Sequence, residues 1–200
     1  MPICFRFILG FLLTTVLLAC STVKKPPQIV NATANDAKLI ALTNWQLRGR
    51  MAFKSEDDSF SANVRWIQSG KEFEFILTNV IGVTLLELEY KDGIANLVVD
   101  GNAYTGQDPE QLIWRVSQWQ IPIWQMQRWV KGLSNIQEMT KRDERGLLRE
   151  IIPGGRLSRW QVDYTDYTQA DTVVLPRQLV ITRQNPITSI KFKVNKWTVT

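Results

Sequence analysis

Histidine is absent from the 200 residues. The usual general base, the Ser-His-Asp triad and the commonest transition-metal ligand are therefore all missing. The two cysteines are Cys4 and Cys20, and both belong to an N-terminal leader or its end, so the folded chain keeps no thiol nucleophile. No Gly-x-Ser-x-Gly elbow occurs. Gly70-Lys71 is not a phosphate loop, because Glu72 stands where the hydroxyl residue should be and Arg65 where the first glycine should be. Glu87 with Glu89, and Asp163 with Asp166, could share acid-base work, but charges this close on a strand belong far more often to its solvated face. No enzyme is expected, and no metal or cofactor.

The chemistry that remains is covalent attachment of lipid. Residues 1–19 carry one positive charge, Arg6, followed by an apolar run from Phe7 to Leu18. The run is too short to span a bilayer comfortably and reads as a secretory signal. It ends Leu17-Leu18-Ala19-Cys20, which resembles the lipobox of bacterial lipoproteins, where the cysteine thiol receives diacylglycerol. Ser21 follows it, and the lipoprotein rule that Asp at this position retains a protein in the inner membrane then implies the outer membrane, facing the periplasm. Residues 20–37 are polar, proline-bearing and aperiodic, as a tether would be. Without Arg6 the 24 basic side chains become 23, against 19 acidic, a net charge of +4. Export makes anionic phospholipid or an acidic protein partner better readings of that excess than nucleic acid, beside a merely solvated surface of mixed sign.

The elements follow from periodicity. Residues 38–200 are expected to form one domain. Phe73, Phe75 and Leu77 alternate with Glu72, Glu74 and Ile76, and after Asn79-Val80-Ile81-Gly82 the alternation resumes through Leu86, Leu88 and Tyr90, a β-hairpin. Its tip is anomalous, because Val80 and Ile81 occupy a turn that normally carries polar residues. Strands are also expected over Trp45–Lys54, Phe60–Ile67 and Ile94–Val99, and again from Gln137 to the C-terminus. Between Asp108 and Gly132 the pattern turns helical, with Asp108-Pro109 as a cap and Trp114, Trp119, Trp124 and Trp129 five residues apart. Five is neither a helical nor a strand period, so these indoles cannot share one face; some pack on the sheet and others sit at its rim, or they border an apolar mouth or meet a membrane interface. The whole predicts a mainly β chain: an incomplete antiparallel barrel of about 11 strands, with helices covering an apolar cavity.

Five stretches carry a family likeness: Trp45-Gln46-Leu47-Arg48-Gly49-Arg50, Trp66 after a strand, Leu77-Thr78-Asn79-Val80-Ile81-Gly82, Trp129-Val130-Lys131-Gly132 and the terminal Trp197. In their order and spacing the mature chain resembles the LolB family of the bacterial Lol lipoprotein-sorting pathway. The resemblance implies a monomeric receptor that accepts acylated lipoproteins from the periplasmic carrier LolA and delivers them into the phospholipid of the outer membrane. It implies that Ile81, beside Val80 and Gly82, protrudes and supports membrane incorporation; the family often has Pro-Leu where this chain has Val80-Ile81. Candidate acyl-cavity residues are Trp66, Phe75, Leu77, Leu86, Leu88 and Val98 from the first strands. Phe192 and Val194 join them from the last, and Ile113, Val116, Met126 and Trp129 from the helices. For each of these a plain core role stands beside ligand contact. A barrel that binds free lipid or glycolipid, or docks an envelope partner, without transfer is the alternative.

Overall fold

In a computed structural model, residues 29–200 of the protein are described. The expected signal peptide, Cys20 and the first part of the tether lie outside them. Eleven strands form one antiparallel sheet: β1 (Asn44–Lys54), β2 (Ser59–Ser69), β3 (Glu72–Thr78), β4 (Thr84–Lys91), β5 (Ile94–Val99), β6 (Asn102–Gly106), β7 (Met139–Arg142), β8 (Leu148–Ile152), β9 (Trp160–Ala170), β10 (Val173–Arg183) and β11 (Thr188–Val199). Their order is β6-β5-β4-β3-β2-β1-β11-β10-β9-β8-β7, so β6 and β7 are free edges and the sheet is not closed.

The chain ends join the two halves, because β1 pairs with β11 from Trp45↔Val199 to Lys54↔Ser189, with a register shift at Arg48/Gly49. The shift brings backbone so close that a Cβ on Gly49 would lie 2.2 Å from the Lys193 carbonyl oxygen. Only glycine fits there. The alternation in sequence is reproduced as burial: Trp45, Leu47, Met51 and Phe53 of β1, and Ala62, Val64 and Trp66 of β2, all face one core.

Among the described residues three α-helices accompany the sheet: α1 (Ala32–Ala41), α2 (Pro109–Ser117) and α3 (Ile123–Trp129). Asp108 caps α2 by accepting from the backbone N–H groups of Glu110 and Gln111, with proline in the first turn. Helix α1 is capped by Asn31, so a helix occupies the last part of the stretch assigned to the tether, 20–37. It is fastened by Asn35, which donates to the Val174 carbonyl and accepts from its N–H, and by an Asp36–Arg142 ion pair.

In this meander the turns fall at two ends. One end holds the β2–β3, β4–β5, β7–β8 and β9–β10 turns together with α1. The other holds the β1–β2, β3–β4, β5–β6 and β10–β11 turns.

Candidate functional site

The β3–β4 tip is built by Asn79. Its carboxamide oxygen accepts from the Ile81 N–H at 3.1 Å and the Val83 N–H at 2.9 Å, while its backbone N–H donates to the Val83 carbonyl and its own carbonyl accepts from Gly82. Gly82 takes a positive φ of 88°, which closes the loop and favours glycine. With the backbone satisfied from within, the side chains are pushed outward: Val80 is 75% and Ile81 81% exposed, and Val83 is exposed beside them. The tip is thus stiffened by an Asx turn in place of the proline the resemblance led one to expect. Asparagine before a glycine-bearing turn was the available signal for it.

Trp66, Phe75, Leu77, Leu86 and Leu88 are buried on the inner face with Phe192 and Val194, and Ile113, Met126 and Trp129 close over them. Val98 does not join them. It pairs with Glu87 on the outer face, and Leu97, opposite Leu88, holds the inner position. Val116 is only half buried, at the margin of α2.

The interior is filled by these side chains. Trp66 packs between Trp45 at 5.4 Å and Phe75 at 5.1 Å, and its indole N–H is buried with no acceptor. Recesses of about 230 to 420 Å³ open instead on the outer face, at the ends and at the seam, and none is lined by Trp66, Phe75, Leu77, Leu86 or Leu88.

The seam recess, about 420 Å³, lies between α2, with Glu110 and Trp114, and the far half of the sheet, with Trp160 and Arg183. The Arg183 guanidinium sits 5.8 Å from the centre of the Trp160 ring, a cation–π pair. Burial pulls its pKa below the ordinary value, aided by Arg159. Across the recess burial raises the Glu110 carboxyl, although the Trp124 N–H it accepts opposes the shift.

Helices α2 and α3 are held over the core at few points. The Trp119 indole packs, tilted, against the stacked pair Phe53 and Phe60 and donates to Asp58 Oδ2 at 3.0 Å. Trp124 meets Phe73 and Tyr90 edge-on. The Tyr164 hydroxyl donates to the Trp129 carbonyl at 2.8 Å, and burial raises its pKa. Past the end of α3, Lys131 donates to the Leu39 and Leu42 carbonyls at 3.0 and 2.8 Å, which ties that end to α1; burial, then Arg128, pulls its pKa down to about 8. These latches join residues dozens of positions apart, and no local pattern announces them. Trp129 is buried, Trp119 and Trp124 pack on sheet aromatics, and Trp114 is exposed, which is the scatter a spacing of five requires. Among the described residues no group of acids or thiols could hold a metal ion.

A model of the family described as "Outer membrane lipoprotein LolB" matches residues 43–197. The outer-membrane lipoprotein LolB of Aeromonas hydrophila subsp. hydrophila is 34% identical over 195 residues, covering 97% of this chain and 96% of its own. That of Shewanella denitrificans is 32% identical over 154 residues, 76% of this chain and 75% of its own. In structure the chain is similar to a LolA superfamily protein from Nitrosomonas europaea, with a TM-score of 0.52 over 86% of this chain and 94% of that one. At 7% identity the likeness is one of fold alone.

Proposed function

The chain belongs to the LolB family of outer-membrane lipoproteins, and from that premise we propose that it accepts acylated lipoproteins from a periplasmic carrier of the LolA type and passes them into the inner leaflet of the outer membrane. A role in lipoprotein sorting, as a receptor and not an enzyme, comes with the family. The transfer is the further step, and the observation that carries it is the stiff, exposed Val80-Ile81 tip: apolar surface held out in water by a satisfied backbone belongs in an apolar medium.

Energetics dictate the form of the reaction. Burying hydrocarbon is worth about 0.8 kcal/mol per CH₂, so releasing one long acyl chain into water would cost on the order of 10 kcal/mol. Cargo therefore moves along continuous apolar surface from carrier to receptor to bilayer, and the receptor holds it about as tightly as the carrier does. Because the interior is filled by side chains, acyl chains enter when α2 and α3 lift from Trp66, Phe75 and their neighbours. The receptor acts as a monomer, with Cys20 as its lipid anchor, and with no nucleotide or cofactor.

The test mixes an unacylated form of the receptor with carrier loaded with radiolabelled lipoprotein. Movement of label to the receptor without nucleotide supports the reading. Retention of label on a competent carrier beside a folded receptor sinks it, and leaves binding of free lipid without transfer as the better account.

A further inference from the structure

On the outer face of the sheet, charge is sorted by strand. The β1–β11 register sets Arg48 opposite Lys196, Arg50 opposite Lys193 and Ala52 opposite Lys191, and Lys54 lies at the far end of the same row. On the other side of β1, Arg48 faces Arg65 of β2. Arg65 is paired with Glu74, whereas among the described residues none of Arg48, Arg50, Lys54, Lys191, Lys193 and Lys196 makes an ion pair, and all six are exposed. Outward acids lie two and three strands from β1, as Glu72 and Glu74 of β3 and Glu87 and Glu89 of β4, and on the other flank in β8 and β9, as Glu150 and Asp163. Like charges directly opposed destabilise a sheet, and a surface that only needed solubility would intersperse the signs. From Arg48 to Lys54 the row runs about 20 Å, and between Arg50, Lys191 and Lys193 a shallow groove of about 230 Å³ opens over Ala52 and Val180.

The geometry of the two ends bears on the same face. The chain enters the fold where the Val30 N–H donates to the Arg145 carbonyl in the β7–β8 turn, at the end that holds α1. The Val80-Ile81 tip is at the opposite end. The strands that carry the tip are about 25 Å long and the longest about 35 Å or a little more, and the segment from Cys20 to Val30 reaches at most about 35 Å when fully extended. Standing upright on its tip, the domain would need most of that reach. Lying with its strands along the membrane, it brings the anchor end and the tip to the bilayer together, and a strand face must then lie against the headgroups.

We propose that the outer face of β1 and β11 is a docking surface for anionic phospholipid, which lays the barrel along the membrane. The inference rests on the chain being an outer-membrane lipoprotein, and not on transfer from a carrier. Ile187, 65% exposed in the β10–β11 turn at the tip end, adds an apolar contact at the end of the row.

The test uses residues 20–200 with Cys20→Ser, which removes the anchor, in sedimentation with phosphatidylcholine vesicles and with vesicles that also contain phosphatidylglycerol. Binding is expected only to the anionic vesicles and is expected to weaken with salt. Each surface cation is worth about fivefold in partition, so Arg50→Gln with Lys193→Gln should lower it more than about tenfold, while Glu87→Gln with Glu89→Gln leaves it unchanged or raises it. Arg50→Glu alone places an acid opposite Lys193, so its melting temperature should hold or rise while binding falls, which a folding defect would not produce. Equal partition to the two kinds of vesicle overturns the proposal. So does wild-type binding by the doubly neutralised variant, and if that variant instead accepts less cargo from a loaded carrier, the face belongs to an acidic protein. Ile81→Glu should lose delivery, while the binding that remains still requires anionic lipid and still weakens with salt, which separates failure of this surface from failure of the transfer reading.

Discussion

Asn79 and Ile81 divide one task between them. Asn79 satisfies the turn, and Ile81 is thereby free to face water. For Ile81→Glu, folding and acyl uptake should persist while delivery of labelled lipoprotein into liposomes falls at least about tenfold, because the carboxylate must be desolvated on insertion. Loss of folding would make Ile81 a core residue. Asn79→Ala leaves two backbone N–H groups without their acceptor, at a cost of about 1 to 2 kcal/mol, and amide exchange at Ile81 and Val83 should accelerate before the sheet melts. Lys131 gives a pH signature. Its folded pKa of about 8 lies below the ordinary 10.5, so between these values the unfolded chain binds more protons and stability rises with pH. Tyr164, whose pKa is raised, loses its contribution above pH 10. Denaturant titrations should therefore show a gain from about pH 8 to 10 that Lys131→Met abolishes, and a fall beyond.

The elements differ in how far their residues announced them. Helix α2 was legible from Asp108-Pro109, since a cap is local chemistry, and the β3–β4 hairpin from a clean alternation. In β5 the run Leu97-Val98-Val99 is apolar at three successive positions, so its phase is ambiguous; the pairing of Leu88 with Leu97 settles it and puts Val98 outside. Helix α1 starts earlier than its apolar residues suggest, because Asn35 and Asp36 bond to strands more than 100 positions away. The same long reach makes the Asp58–Trp119 contact a candidate latch for α2 and α3. Asp58→Ala should cost about 1 kcal/mol and quicken uptake of a fluorescent acyl probe; unchanged uptake would place the opening elsewhere, with the seam beside Arg183 and Trp160 the next region to examine.

At the scale of the whole molecule, the sheet stays open because β6 and β7, its edges, end without pairing with each other. The halves are held by β1 against β11, and that joint depends on Gly49. Gly49→Ala should lower stability by about 3 kcal/mol or more, read as a drop in melting temperature, since the neighbour in the way is backbone and cannot swing aside.

Strand content, the helical insert, the apolar tip and the absence of catalytic groups could all be read from residue order. Each depends on periodicity or residue type within a few positions, where covalent geometry sets the rules. Family membership was legible for a similar reason, being carried by short stretches such as Trp45–Arg50 and Leu77–Gly82. Three features depended on the fold: the filling of the interior, the latches over it, and the gathering of Arg48, Arg50, Lys193 and Lys196 into one row. Pairing the first strand with the last brings together charges about 145 positions apart, and only the long-range register of a folded sheet determines which side chains stand opposite one another.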